Sequence, residues 1–478
     1  MLSILVCHSY FLRFDSKQQQ RAKPYPPLAT LQVASVLRNA GHEVTLFDAM
    51  LADDCSRFDR QLDVLKPQLV LFYEDNYNFL SKMCLGRMRR AACEMLELAR
   101  QRGARLIAAG SDASDSPETY LGAGADAVLH GEALASLMAL IDRLNADPQA
   151  ESAALAAGLP DVSVISANNV QRFRGVAALP EPAFAPLPAW DLIDIEKYRR
   201  VWQRAHGYFS LNMAASRGCS FRCNWCAKPI WGNQYLQRGA GEIAAEMIYL
   251  RRHYRPDHIW FADDIFGFKV DWVKDFAAAL TAGGGGVPFT IQLRADLVSA
   301  RMSEALRSAG CDEVWIGAES GSQKILDAMN KGTRVAEILQ ARRLLGAAGI
   351  RVGFFLQLGY LGEELPDILA TRRLLDEARP DDVGVSVSYP LPGTKFYETV
   401  KQQMGAKTHW QESSDLEMMF EGTYTSEFYR AVRNLLHEQV KHPSSPEVDR
   451  QWAQLIADER SYRPNVAEAF PDAVGAMS

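Results

Sequence analysis

Twice along this chain, short apolar segments alternate with amphipathic stretches long enough for helices, and that alternation restricts the fold more than any other feature. Over residues 1–140 the segments "LSILV" (2–6), "EVTLFD" (43–48), "LVLFY" (69–73), "RLIAA" (105–109) and "DAVL" (126–129) are rich in β-formers. Between them lie patterns such as "PPLATLQVASVLRNAG", which opens on prolines and closes on Gly41, a helix stop. Strands separated by helices run parallel, so the expected unit is α/β: a doubly wound parallel sheet of the flavodoxin or Rossmann kind. Such sheets take ligands at the carboxyl ends of their strands, where "AAGSD" and "LHGEA" stand.

The alternation resumes at 208 with "YFSLNMAAS", "HIWFADD", "FTIQLRA", "EVWIGAES", "RVGFFLQLG" and "DVGVSVSYP", the first five each followed by a helical pattern. Six such units predict a partial (β/α)6 barrel of the TIM type, two units short of a closed one. Between the two runs, Pro180, Pro182, Pro186 and Pro188 suit an extended, stiff connection. The expected organisation is a sheet domain over 1–145, a proline-rich linker over 146–200, the barrel over 201–395 and a helical C-terminal extension over 396–478. The role of that extension is not legible.

With 23% charged and 48% hydrophobic residues the composition is that of an ordinary globular protein, which excludes disordered and fibrous classes. The net charge is −6 with basic residues interspersed among acidic ones, so no nucleic-acid partner is expected. No run of eighteen apolar residues occurs, so no membrane span is expected, and the N-terminus lacks a cationic leader. The expected location is cytoplasmic, with Cys7, Cys55, Cys84, Cys93 and Cys311 as reduced, scattered thiols.

Catalytic groups in barrels come from strand carboxyl ends and the loops that follow them. That rule collects the three-cysteine loop, Asp263 and Asp264, Arg294, Glu319, Ser320 and Gly321, Gly359 and Gly362, and "YPLPGT" on one rim. In "RGCSFRCNWC" the spacing Cys219-x3-Cys223-x2-Cys226 lets three thiolates reach one centre, and soft sulfur selects zinc or an iron-sulfur cluster. A structural zinc wants a fourth ligand; the nearest histidine, His206, precedes the strand. A four-iron cluster on three thiolates leaves one iron open, while zinc or a purely structural cluster stands as the alternative. Asp263 and Asp264 are adjacent on a strand, so at most one faces the cavity.

The three-cysteine spacing with Trp225 before its last cysteine resembles the signature of the radical S-adenosylmethionine (radical SAM) superfamily. "FADDIF", "GAESGS" and "YPLPGT" resemble its branch with an N-terminal cobalamin-binding domain. The likeness spans nearly the whole chain. It implies that Cys219, Cys223 and Cys226 hold a 4Fe-4S cluster and that S-adenosylmethionine contacts Trp225, Asp264, Arg294, Glu319, Ser320 and Pro392. Arg294 has the alternative of a salt bridge to Asp296, Glu319 that of a helix cap, and Trp225 that of ordinary packing.

In the sheet domain the resemblance places cobalamin at Gly110, Ser111, His130, Gly131 and Glu132. Two departures are visible: Ala109 stands where the family often has a glycine, and no Asp-x-His-x-x-Gly motif supplies a histidine to cobalt. The alternative is a flavodoxin-like domain that has lost its cofactor and only docks the barrel.

The implied activity is reductive cleavage of S-adenosylmethionine to a 5'-deoxyadenosyl radical, followed by cobalamin-dependent methylation of an unactivated carbon. The alternatives are radical oxidation, cyclisation or rearrangement without methyl transfer, and, outside enzymes, a metal-binding scaffold. The implied partners are a small-molecule substrate and an external electron donor such as flavodoxin or ferredoxin. No catalytic side chain and no substrate are identified by the sequence.

Overall fold

A computed structural model describes residues 1–78, 86–173, 187–226, 234–405 and 416–464. Cys84, Pro180, Pro182, Pro186 and the end of the cysteine segment, 227–233, lie outside these residues. Five parallel strands, β1 (Ser3–Cys7), β2 (Glu43–Phe47), β3 (Leu69–Tyr73), β4 (Arg105–Ala109) and β5 (Ala127–Leu129), form the first sheet in the order β2-β1-β3-β4-β5. This is the flavodoxin-like doubly wound order. Alternate residues face opposite sides. Leu5, Cys7, Val70, Phe72, Leu106 and Ala108 pack with Phe58, Leu62, Met95 and Leu96 of the helices Ser56–Leu65 and Gly86–Gln101. Ile4, Val6, Leu69, Leu71 and Ile107 face the other way, into a core continuous with the barrel.

The expected linker differs from its prediction. Two strands, β6 (Val162–Ser166) and β7 (Asn169–Phe173), extend the first sheet as an antiparallel hairpin on β5. Its turn residues, Ala167 and Asn168, both have positive φ (49° and 64°), the geometry that favours two-residue hairpins. An alanine in that position hides the turn from a composition-based reading. Further on, Ala189 N–H bonds to Leu31 O (3.1 Å) and Trp190 is buried, so the chain lies against the helix Leu28–Asn39.

The barrel strands are β8 (Ser210–Met213), β11 (His258–Phe261), β12 (Phe289–Leu293), β13 (Cys311–Glu319), β14 (Arg351–Leu358) and β15 (Asp382–Val387), all parallel in sequence order. A small antiparallel pair, β9 (Ser216–Arg217) and β10 (Leu236–Gln237), follows β8. The outer residues Phe261 and Phe289 pack with Phe276 of the helix Val270–Ala282. On the inner face, hydrogen bonds run from Ser210 Oγ to His258 Nδ1 (2.9 Å) and from His258 Nε2 to Thr290 Oγ1 (2.9 Å).

The sheet remains open between β8 and β15. In the C-terminal extension, the helix Ser426–Lys441 buries Phe428, Val432 and Leu436 and packs on β15 and on the helix Leu365–Ala378, covering an edge that would otherwise offer unpaired backbone. Among the described residues no helix is long and apolar enough to cross a membrane.

Candidate functional site: a cysteine loop between two domains

The loop 218–226 leaves the carboxyl end of β8 through β9. Cys219 is buried, Cys223 and Cys226 are half-buried, and none of the described cysteines is in a disulfide. Asn224, between the second and third cysteines, anchors this segment. Its N–H donates to Met329 O (3.1 Å), its C=O accepts from Phe396 N–H (3.0 Å), its Nδ2 donates to Ala328 O (2.8 Å), and its Oδ1 accepts from Tyr360 O–H (2.9 Å). Every polar group of the residue is thus satisfied by structure beyond β13, β14 and β15. Asn330 Nδ2 adds a bond to Arg222 O (2.8 Å). Among the described residues no three His, Cys, Asp or Glu side chains are gathered tightly enough for a single metal ion.

Around the loop the rim is charged and largely dry. Arg294 grips Asp296 with Nε and Nη2 (2.9 and 3.0 Å), and Nη2 also donates to Lys331 O (2.8 Å) and Thr333 Oγ1 (3.0 Å). Its Nη1 faces Cys223 Sγ at 3.7 Å, and its guanidinium lies 3.6 Å from the Phe221 ring centroid. The expected alternative of a salt bridge to Asp296 is the arrangement found.

Glu319, at the end of β13 in a left-handed conformation (φ 60°), accepts a 2.7 Å bond from Lys331 Nζ, and both side chains are buried. Burial opposes the lysine charge, yet the neighbouring Glu319 carboxylate and Cys223 thiol hold its pKa above the ordinary value. The pair lies over Gly317, where a Cβ would come within 2.7 Å of both Glu319 Oε1 and Lys331 Nζ.

The other rim residues divide between structure and site. Asp263 turns inward and is fully buried, accepting from Ala215 N–H (3.0 Å) and Ser216 O–H (2.5 Å); burial pushes its carboxyl up to about 7. Asp264 is half-buried in the bend after β11, which ends at Phe261. Ser320 is buried against Thr371 Oγ1 (3.3 Å) and accepts from Ser322 N–H (3.1 Å), so its hydroxyl serves the turn after β13. Trp225 is half-buried with its indole N–H buried and unpartnered, and Pro392 is half-buried in the turn after β15.

At the carboxyl edge of the first sheet, Gly110 has φ 152°, and a Cβ there would meet the Glu74 side chain at 2.8 Å. Ser111 opens the short helix Ser111–Asp115. Ser114 Oγ donates to Gly110 O (2.7 Å) and accepts from Gly131 N–H (3.0 Å), tying the two glycine turns into one ledge. In the loop after β3, the Asn76 side-chain oxygen is buried without a partner among the described residues.

Two residues expected at the corrin are turned elsewhere. The His130 ring bonds Ser163 Oγ of β6 through Nε2 (2.8 Å). Glu132 is paired with Arg217 of β9 (2.9 Å), across the domain boundary. Of the other histidines in this domain, His8 Nε2 meets Asp48 Oδ1 and Ala49 N–H (both 3.1 Å) and His42 Nδ1 accepts from Leu2 N–H (3.3 Å). The ledge is therefore backbone and glycine, and each of these imidazoles has one ring nitrogen in a hydrogen bond.

Residues 213–375, from the end of β8 to the helix after β14, match the radical SAM superfamily. This segment is a radical SAM domain. The chain is 21% identical over 401 residues to an uncharacterized methyltransferase of Pyrococcus horikoshii, covering 82% of each chain. It is 24% identical over 409 residues to the hopanoid C-3 methylase of Methylococcus capsulatus, covering 80% of this chain and 70% of that one. Among solved structures, the radical S-adenosylmethionine methyltransferase TsrM from Kitasatospora setae, with cobalamin and a 4Fe-4S cluster bound, superposes with a TM-score of 0.65. That match has 17% identity and covers 84% of this chain and 78% of that one. The sheet, half-barrel and helical C-terminus thus share the fold of that structure.

Arg217, Asn224, Lys331 and Tyr360 were not marked by sequence reasoning. The only signal for the first two is their position inside the cysteine segment. Nothing local marks the others.

Proposed function

We propose that this radical SAM protein is a cobalamin-dependent methyltransferase acting on an unactivated carbon of a small molecule. The observation that carries the proposal is a cysteine loop anchored by Asn224 and tied, through Arg217 and Glu132, to the glycine ledge of a doubly wound sheet. The names of both sequence relatives, a methyltransferase and a methylase, support it. When bound, the cluster supplies the electron that cleaves S-adenosylmethionine to a 5'-deoxyadenosyl radical, and cobalamin carries the methyl group.

The chain's own residues position and shield. Cys219, Cys223 and Cys226 would hold the cluster, with Arg294 Nη1 beside Cys223 Sγ. Trp225, Asp264 and Glu319, the last paired with Lys331, would contact S-adenosylmethionine, together with Pro392 of the turn after β15. Gly110, Ser111 and Gly131 form the cobalamin ledge through backbone contacts, without a histidine on cobalt. An external one-electron donor such as flavodoxin or ferredoxin completes the requirement.

The test is anaerobic reconstitution followed by incubation with methyl-deuterated S-adenosylmethionine and candidate substrates. About four irons per chain are expected, with 5'-deoxyadenosine and S-adenosylhomocysteine in comparable amounts and label in the product. 5'-Deoxyadenosine without S-adenosylhomocysteine or label assigns the chain to oxidation, cyclisation or rearrangement. Stoichiometric zinc, with no charge-transfer absorption and no cleavage, leaves only the metal-binding scaffold.

A further inference from the structure

Arg217 lies two residues before Cys219 and is buried. Its Nε donates to Tyr77 Oη (3.0 Å), Nη1 donates to Glu132 (2.9 Å to Oε1, 3.1 Å to Oε2), and Nη2 donates to Gln32 Oε1 (3.1 Å). These three partners belong to the other domain: the loop after β3, the loop after β5, and the helix Leu28–Asn39. The two loops form the carboxyl edge where a doubly wound sheet takes its ligand. Glu132 directly follows Gly131 of the ledge, and Tyr73 O–H donates to its carbonyl (3.3 Å).

Stability is a weak reason for this arrangement. Two charges withdrawn from water lose about as much hydration as their attraction returns, and apolar side chains would hold the two domains equally well. What a planar guanidinium adds is direction, because its fork fixes several partners at set angles. The segment that carries it is equally constrained, since Ser216 and Ala215 are tied to Asp263 and β9 is paired with β10.

We infer that Arg217 is a positioning residue that fixes the cysteine loop relative to the corrin-bearing edge of the first sheet, so that occupation of one cofactor site is felt at the other. This rests on the methyltransferase reading above, in which both sites act on S-adenosylmethionine.

The experiment uses the full chain, reconstituted anaerobically, with hydroxocobalamin as the probe. The main variant is the double substitution Arg217→Met with Glu132→Leu, which leaves no unpaired buried charge. Arg217→Lys is the conservative control, keeping the charge toward Glu132 but not the fork. Hydrogen exchange of residues 211–226 is followed with and without hydroxocobalamin, together with iron and cobalamin content and the ratio of S-adenosylhomocysteine to 5'-deoxyadenosine.

In the wild type, hydroxocobalamin is expected to slow exchange in 211–226. The double variant should bind iron and hydroxocobalamin at wild-type stoichiometry but lose that response. Its product ratio should fall at least tenfold, within the roughly 100-fold that a misplacement of about 1 Å can cost. Arg217→Lys should lie between the two. The inference is overturned if the double variant keeps both the exchange response and the ratio within twofold. It is also overturned if all variants lose iron while the first sheet stays folded, because Arg217 would then serve loop folding alone. A wild type that takes up no hydroxocobalamin overturns the methyltransferase reading, a result distinct from a loaded wild type matched by its variant.

Discussion

Replacing Asn224 by alanine deletes two side-chain hydrogen bonds, from Nδ2 to Ala328 O (2.8 Å) and from Tyr360 O–H to Oδ1 (2.9 Å), and leaves the two backbone bonds of the residue in place. A net contribution of about 1 kcal/mol per bond gives about 2 kcal/mol, or roughly a 30-fold shift toward an opened loop. Tyr360 keeps a second acceptor in Ala328 O (3.1 Å), so its hydroxyl is not stranded and the loss stays local. The assay is the rate at which a ferrous-iron chelator strips the reconstituted protein, because iron bound by this loop is reached once the loop opens. The expected rate is about 30 times that of the wild type, with global unfolding little changed. Asn224→Asp retains the acceptor for Tyr360 but sets a carboxylate against the Ala328 carbonyl, and should be at least as severe. A stripping rate for Asn224→Ala within threefold of wild type would show that the backbone bonds alone hold the loop.

The remaining predictions concern the frame around the site. Burial lowers the His258 pKa to about 4 from 6.5, so the unfolded chain takes up the proton first as pH falls. The stability due to the neutral ring is therefore present above about pH 6.5 and lost toward pH 4, about 3 kcal/mol in all; His258→Gln should flatten denaturant midpoints across that window, and an unchanged slope would refute the assignment. Removing one partner of the buried Glu319–Lys331 pair, as in Glu319→Gln or Lys331→Met, should destabilise the barrel by about 3 kcal/mol, while Glu319→Leu with Lys331→Met should cost about 1 kcal/mol. Additive losses in that cycle would mean the two groups are uncoupled. Gly321→Ala puts a Cβ 2.3 Å from Ala370 O, backbone that cannot swing aside, and should lower the thermal midpoint by an amount equivalent to about 1–3 kcal/mol. A wild-type midpoint would show that the helix Leu365–Ala378 shifts freely.

Sequence alone determined the features that depend on neighbours along the chain. A strand five residues long, such as Leu69–Tyr73, carries its own apolar and β-forming signature, and the order of βα units follows from which segments precede which. The cysteine spacing is likewise local, so its three candidate ligands could be named before any fold was known. Tertiary structure decided what those residues touch. Arg217 finds partners 85, 140 and 185 positions away, and Asn224 one 136 positions away, because docking the barrel on the first sheet and closing the rim bring those groups together. The same docking turned Glu132 from an expected corrin neighbour into the partner of Arg217, and the β6–β7 hairpin drew His130 toward Ser163. A buried polar group must be paired. Which group pairs it depends on distances that no local pattern encodes, so the candidate ligands of this site were legible in the sequence and the bonds that orient them were not.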